Sequence, residues 1–208
     1  MSKKKLAIGV LSSHGGTNLQ TIIDSCKSGH IDAEVRVVIC NNSRATAMER
    51  AKREGIPCFH MSGATHPEPG ELDSAITSTL TEHGVELVAL AGYMKKLGPL
   101  TLERYRGRVL NIHPALLPKF GGQGMYGERV HKAVLDAGEK VSGVSIHVVD
   151  EEYDHGPVVS QRQVPVLEGD TPESLAERVL TQEHILYSDT IQDIASGKID
   201  LDNLPQMD

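Results

Sequence analysis

The sequence predicts an α/β protein built on a doubly wound, mostly parallel sheet with an antiparallel C-terminal extension, and three observations carry that prediction. Short apolar runs without polar alternation recur at Leu6 to Leu11, Val35 to Cys40, Leu87 to Ala91 and Val109 to Ile112, as strands buried on both faces require. Helix-like stretches separate these runs, each bounded by glycine or a polar turn, which is the β-loop-α rhythm of a parallel sheet. After Gly121 the texture changes. Two longer strand-like runs, Val141 to Val149 and Val158 to Val166, are joined by Asp150 to Pro157 and read as an antiparallel pair.

Taken in order, the first strand passes through Ser12-Ser-His-Gly-Gly-Thr-Asn18 into a helix from Leu19 to Lys27. Val35 to Cys40 is the second strand. Asn41-Asn42-Ser43 follows as a turn and cap, and Ala45 to Glu54 as a helix of good helix formers that stops at Gly55. Ile56 to Phe59 is a short third strand, and Gly70 to His83 a helix ending at Gly84. The strands at Leu87 and Val109 come next, then a helix from Met125 to Asp136 and the antiparallel pair. Asp170-Thr-Pro-Glu173 supplies a cap and a first-turn proline for a last helix reaching Ile194. The residues after Gly197 read as a surface wrap. No internal repeat or low-complexity linker divides the chain, so residues 1–208 are expected to form one domain.

A chain of 208 residues that is 39% hydrophobic can bury a sizeable core. Its formal net charge of -7 argues against non-specific nucleic-acid binding, which needs a positive footprint. The basic cluster Lys3 to Lys5 is short and reads as a solvated end. Cys26, Cys40 and Cys58 are odd in number, far apart and without a C-x-x-C pair, so neither a disulfide framework nor a zinc site is expected. Leu6 to Leu11 is too short for a signal-peptide core, and no stretch approaches a membrane span. These features predict a cytoplasmic protein of small-molecule partners, with no nucleic acid, no membrane and no metal.

Ligands of open α/β sheets gather at the carboxyl ends of the strands, where a helix N-terminus offers free N–H groups to an anion. Gly15, Gly16, Thr17 and Asn18 lie there. The loop is neither G-x-G-x-x-G nor a lysine-bearing P-loop, and it reads equally as a phosphate site or as a tight turn with an Asn cap. In Leu110-Asn-Ile-His-Pro-Ala-Leu-Leu-Pro118, Asn111 and His113 are two residues apart at a strand end, so extended chain points both to one face. An amide and an imidazole so placed can polarise a carbonyl and hold the oxyanion formed when a nucleophile attacks it. A lone histidine in a chain with ten is otherwise a structural residue, and the acidic turn Glu151-Glu-Tyr-Asp-His-Gly156 is otherwise solvated. No Ser or Cys elbow is present, and His14, His113 and His147 are scattered rather than spaced as metal ligands, which favours direct transfer between two bound substrates.

Asn111 to Pro118, Gly143 to Gly156 and the opening Val10 to Gln20 together resemble the folate-dependent formyl transferases over nearly the whole chain. Gly16-Thr-Asn18 with Thr181-Gln-Glu-His184 points to the branch that formylates glycinamide ribonucleotide. The resemblance implies a Rossmann-like formyltransferase fold in a monomer or homodimer. It also implies transfer from 10-formyltetrahydrofolate in purine biosynthesis, with that folate as cosubstrate and no tightly bound cofactor. It maps the catalytic trio onto Asn111, His113 and Asp154, with Asp154 expected to raise the pKa of His113. It places the substrate phosphate on Gly16, Thr17 and Asn18 and the ribose on Glu183. It places the folate against Met94, Lys95, Lys96 and Leu97, against Asp150, Glu151, Glu152, Tyr153 and Asp154, and against Asn111. Related methionyl-tRNA formyltransferases and formyltetrahydrofolate deformylases add a further domain that this chain is not expected to carry. A folate or nucleotide binder without turnover is the reading from another class. The sequence departs from the family pattern at His14-Gly15, at Thr65 to Gly70, where some relatives supply an arginine to the folate, and in the longer loop Gly121 to Gly127.

Overall fold

The computed structural model describes residues 4–203; Lys3 of the basic cluster and residues 204–208 of the tail lie outside the described residues. The elements run β1 (Leu6–Ser12), α1 (Thr17–Ser28), β2 (Ala33–Cys40), α2 (Thr46–Arg53), β3 (Cys58–His60), α3 (Glu71–Glu82) and β4 (Leu87–Leu90). They continue as α4 (Pro99–Arg104), β5 (Val109–His113), α5 (Glu128–Asp136), β6 (Val141–Val148), β7 (Val158–Pro165) and α6 (Pro172–Ala195), closing with a 3-10 turn at Leu201–Asn203. One seven-stranded sheet holds them in the order β3-β2-β1-β4-β5-β6-β7. The first five strands pair in parallel, whereas β6 pairs antiparallel with β5, and β7 antiparallel with β6. The doubly wound sheet with its antiparallel extension is therefore the fold the sequence predicts.

The apolar runs lack polar alternation because each strand feeds a core on both faces. Ile8, Val10, Val38, Cys40, Leu87 and Ala89 pack on the side that carries α1 and α6. Leu11, Val37, Ile39, Val88 and Leu90 pack on the side of α3. Odd and even residues of a strand part in this way because successive side chains leave opposite faces of the pleat. The longest helix, α6, is started by a reciprocal cap: Thr171 Oγ1 accepts from the Ser174 amide at 3.3 Å, and Ser174 Oγ accepts from the Thr171 amide at 3.0 Å, with Pro172 in the first turn. Further along α6, the buried Tyr187 hydroxyl lies 3.2 Å from the Leu90 carbonyl and 3.1 Å from the Leu110 carbonyl, so it ties the helix to the ends of β4 and β5. Burial pushes its phenol far above the ordinary value and keeps it a donor.

Two expectations are corrected, and one helix is added. The helix α4 was not foreseen in the sequence, because its N-terminus is capped from elsewhere: Asp73 on α3 accepts from the Leu100 amide at 2.7 Å and from the Thr101 amide at 3.0 Å. The helix expected from Met125 begins only at Glu128, since Gly127 adopts φ 56° and ψ -139°, a conformation that no helix continues. Asn41 to Ser43 form the expected turn but not the cap of α2, whose N-cap is Ala45 with no side-chain bond. The tail wraps back over the body, with Leu201 buried and Asp202 paired to Arg108 at 2.8 Å.

Candidate active site

The strand order reverses between β1 and β4, and open α/β sheets gather ligands outside the carboxyl ends of the strands at such a point. The loops there are tied to one another. Ser12 Oγ donates to the Ala91 carbonyl at 2.9 Å, the Ser13 amide to the Gly92 carbonyl at 3.0 Å, and the Met94 amide to Ser13 Oγ at 2.8 Å. They form the floor of a cavity of about 1080 Å³, whose other walls are the end of β5, the segment Gly122 to Arg129, and one face of α6 from Glu173 to Glu183.

The glycine loop is held against α2. Gly16 takes a left-handed φ of 68°, and a Cβ there would stand 2.7 Å from Ala47 Cβ, so the close approach and the conformation both require glycine. The Ala47 amide donates to the His14 carbonyl at 3.1 Å and Arg50 Nε to the Gly15 carbonyl at 2.8 Å. The first N–H groups of α1, at the positive end of its dipole, have no partner inside the helix. The reading of Asn18 as a helix cap is corrected. Left-handed Gly16 starts the helix earlier than the apolar pattern indicates, and Asn18 lies within the first turn, donating through Nδ2 to Glu183 Oε2 at 2.8 Å. Asn18 and Glu183 line the large cavity, while Gly16 and Thr17 form the turn beside it. Burial pushes the Glu183 carboxyl up, against the pull of the Asn18 amide.

Asn111 and His113 both line the large cavity from β5, as their spacing predicts. Asp154 reaches them from the β6–β7 connection with a left-handed φ of 55°. That connection folds tightly onto the end of β6, where a Cβ at Gly156 would fall 1.9 Å from the Val148 carbonyl oxygen. The Asp154 carboxylate then sits among three side chains. Its Oδ2 accepts from the Gly122 amide at 3.0 Å and stands 3.4 Å from His113 Nδ1. Its Oδ1 stands 3.4 Å from both Asn111 Nδ2 and His147 Nε2. On its other side His113 donates from Nε2 to the Phe120 carbonyl at 2.8 Å, an assignment fixed by the carbonyl being an acceptor.

His147 stands in the candidate site although the sequence motifs do not single it out. The antiparallel register sets it directly opposite Asn111, and its Nε2 lies 3.1 Å from Asn111 Nδ2. Its Nδ1 donates to the Val148 carbonyl at 3.0 Å, which leaves Nε2 of the neutral ring to accept and so turns the amide nitrogen of Asn111 inward. A signal was present: Ser145 and His147 are polar residues at i and i+2 in a strand whose only other polar side chain is Ser142, and both are buried. Ser145 Oγ in turn donates to the Ala115 carbonyl at 2.6 Å and accepts from the Leu117 amide at 3.0 Å, holding the loop after His113.

Asp154 pulls the His113 pKa up as expected, but the net shift is downward. Burial of the ring pushes its pKa below the ordinary imidazole value, and the attraction of Asp154 and the Phe120 carbonyl only partly offsets this. For Asp154, burial works upward, but the pull of the His147 and His113 rings when they carry a proton, together with the Gly122 amide, outweighs it and holds the carboxyl below the usual aspartate value. A carboxylate thus faces an unprotonated Nδ1, an arrangement that can take up one proton between Nδ1 and Oδ2.

A second cavity of about 70 Å³ opens between Lys95, Lys96 and Leu97 on one wall and Asp150 to Asp154 on the other. Met94 lines only the large cavity, whereas Tyr93, Lys95, Asn111, Tyr153 and Asp154 line both and stand at their junction. His14 and Gly122 to Gly127 also line the large cavity, and Thr65 to Gly70 lines neither. Among the described residues no group of three or more His, Cys, Asp or Glu is placed to hold a metal ion, and no helix is long and apolar enough to cross a membrane.

Residues 6–191 match the family profile described as formyl transferase. The chain belongs to the formyl transferase family. It is 42% identical over 198 residues to the chloroplastic phosphoribosylglycinamide formyltransferase of Arabidopsis thaliana, covering 95% of this chain and 67% of that protein. It is 38% identical over 192 residues to the phosphoribosylglycinamide formyltransferase of Escherichia coli, covering 92% of this chain and 88% of that one. The crystal structure of glycinamide ribonucleotide transformylase 1 from Symbiobacterium toebii superposes with a TM-score of 0.89 at 42% identity, over 96% of this chain and 92% of that one. Some relatives are longer, and the chain spans 19% of the human trifunctional purine biosynthetic protein adenosine-3. The formyl transferase fold thus carries both of these cavities beyond the strand ends, the larger at the switch point and the smaller beside β4, β5 and β6, with the polar cluster between them.

Proposed function

We propose that this formyl transferase moves the formyl group of 10-formyltetrahydrofolate to the amine of glycinamide ribonucleotide, with residues 1–208 working as one domain. The single observation that carries the reading is the junction: Tyr93, Lys95, Asn111, Tyr153 and Asp154 line both cavities, so a donor in one and an acceptor in the other meet beside the Asn111 amide and the Asp154 carboxylate. In this reading the phosphate rests on the N–H groups of Gly16, Thr17 and Asn18, and the ribose hydroxyls on Glu183. The pterin lies between Lys95 to Leu97 and Asp150 to Asp154, with Met94 beside the joint. Holding both reactants in one cleft supplies the proximity contribution to the rate.

The substrate amine attacks the formyl carbon, forming a C–N bond and an oxyanion. Asn111 Nδ2 releases its long contact to Asp154 and donates to that oxygen, while His147 keeps the other amide hydrogen. The proton lost by the attacking nitrogen passes to the His113 Nδ1 and Asp154 pair and is returned to the folate N10 as the N10–C bond breaks. His113 serves here as a proton acceptor, since its Nε2–H is held by Phe120.

The test is release of tetrahydrofolate from 10-formyltetrahydrofolate with and without glycinamide ribonucleotide, and with the dephosphorylated riboside. Turnover is expected only with the amine present, and the riboside should show a much lower kcat/KM because the loop would have no phosphate to hold. Deformylation without the amine would point to a hydrolase. Saturable folate binding with no loss of formyl under any condition would point to a binder.

A further inference from the structure

Lys96 makes contacts that formyl transfer does not require. Its ammonium donates to the Glu151 carbonyl at 2.8 Å and lies 4.8 Å from the centre of the Tyr153 ring. It stands on one wall of the smaller cavity and grips two residues of the other. The space between those walls is about 70 Å³, whereas pockets that receive small organic ligands measure roughly 300 to 1,000 Å³. A pterin is a flat two-ring heterocycle, so the walls must part before it enters.

The gripped wall is fixed at both ends and not at its tip. At its start the Glu152 amide donates to Asp150 Oδ1 at 2.8 Å, and at its end Gly156 abuts the Val148 carbonyl. Between them Tyr153 is 44% exposed, which leaves the Lys96 contacts to hold the tip inward. The carboxylates of Asp150, Glu151 and Glu152 give this wall a negative field that draws an ammonium to it.

We propose that Lys96 is a latch on the cosubstrate cavity: the folate enters from the state in which Lys96 has let go of Glu151 and Tyr153. Lys96 is then a positioning residue that sets the rate of cosubstrate association, and not a ligand of the pterin. The inference rests on the reading that the smaller cavity receives the folate. Both contacts lie at the surface and each is modest, so the latch opens readily, and its loss accelerates association by roughly three- to tenfold.

The experiment compares wild type, Lys96→Met and Lys96→Arg. Association of tetrahydrofolate, the deformylated product, is followed anaerobically by quenching of tyrosine emission, and hydrogen exchange of amides 151–154 is measured in the ligand-free proteins. Methionine keeps an apolar stem without charge, and arginine keeps a cation that reaches the carbonyl and covers the ring. The latch predicts several-fold faster association and faster exchange in Lys96→Met, with Lys96→Arg close to wild type. Unchanged association and exchange in Lys96→Met would overturn it, as would slower association with weaker binding, the mark of a direct ligand. Faster exchange in Lys96→Met with tetrahydrofolate binding to none of the three proteins would support the latch and overturn the folate assignment instead.

Discussion

Asp154→Asn is expected to lower turnover by about 10² to 10⁴-fold, the range for loss of a positioned acid–base group, with much smaller changes in ground-state affinity for either substrate. Asparagine keeps the size of the side chain and an acceptor for the Gly122 amide, but it cannot share a proton with His113 Nδ1. The consequence for pH follows from signs. The wild-type His113 pKa lies below the ordinary imidazole value because burial outweighs the attraction of Asp154. The reaction needs Nδ1 unprotonated, so the fall of kcat/KM on acidification should come at a lower pH than an ordinary imidazole would give. Removing the Asp154 charge removes the contribution that pulls upward, so the His113 titration in Asp154→Asn moves lower still. Single-turnover rates and an NMR titration of His113 in the two proteins check this together. An unchanged rate with an unchanged titration would reduce Asp154 to a turn residue.

Asn111→Ala is expected to cost about 10² to 10³-fold in turnover, the usual effect of deleting one oxyanion donor. His147→Leu should reproduce part of that loss although His147 is argued to act only through Asn111, because without Nε2 the Asn111 amide is free to present its oxygen to the cavity. A double-mutant cycle separates the two. If His147 acts through Asn111, the leucine substitution should cost almost nothing in the Asn111→Ala background. Independent, additive losses would assign His147 a role of its own.

What was legible in the sequence was what local pattern encodes. Strands such as Leu6 to Leu11 announce themselves because burial on both faces forbids polar residues, and the i, i+2 spacing of Asn111 and His113 fixes a shared face once a strand is granted. What was hidden depends on partners distant in the chain. Asp73 caps α4 from 27 residues away, and the local start signal, Pro99 in the first turn, does not by itself mark a helix of six residues. His147 joins the site only through the register of β5 against β6; the polar spacing of Ser145 and His147 marks one face of the strand but does not name Asn111 as the partner. The net His113 pKa is hidden for the same reason: the upward pull of a neighbouring carboxylate is visible in a motif, whereas the burial that outweighs it belongs to the packed molecule. Lys96 was legible as a residue of the folate segment, and its grip on the facing wall was not.

The central claim is that the formyl group passes directly from folate to amine at the junction of the two cavities. Rapid-quench single turnover with formyl-labelled 10-formyltetrahydrofolate tests it most directly. With enzyme in excess and no amine, the label should remain on the folate; on addition of glycinamide ribonucleotide it should move to the product in one phase, with none bound covalently to protein at any time. Label trapped on the protein, or released as formate before the amine is added, would contradict direct transfer.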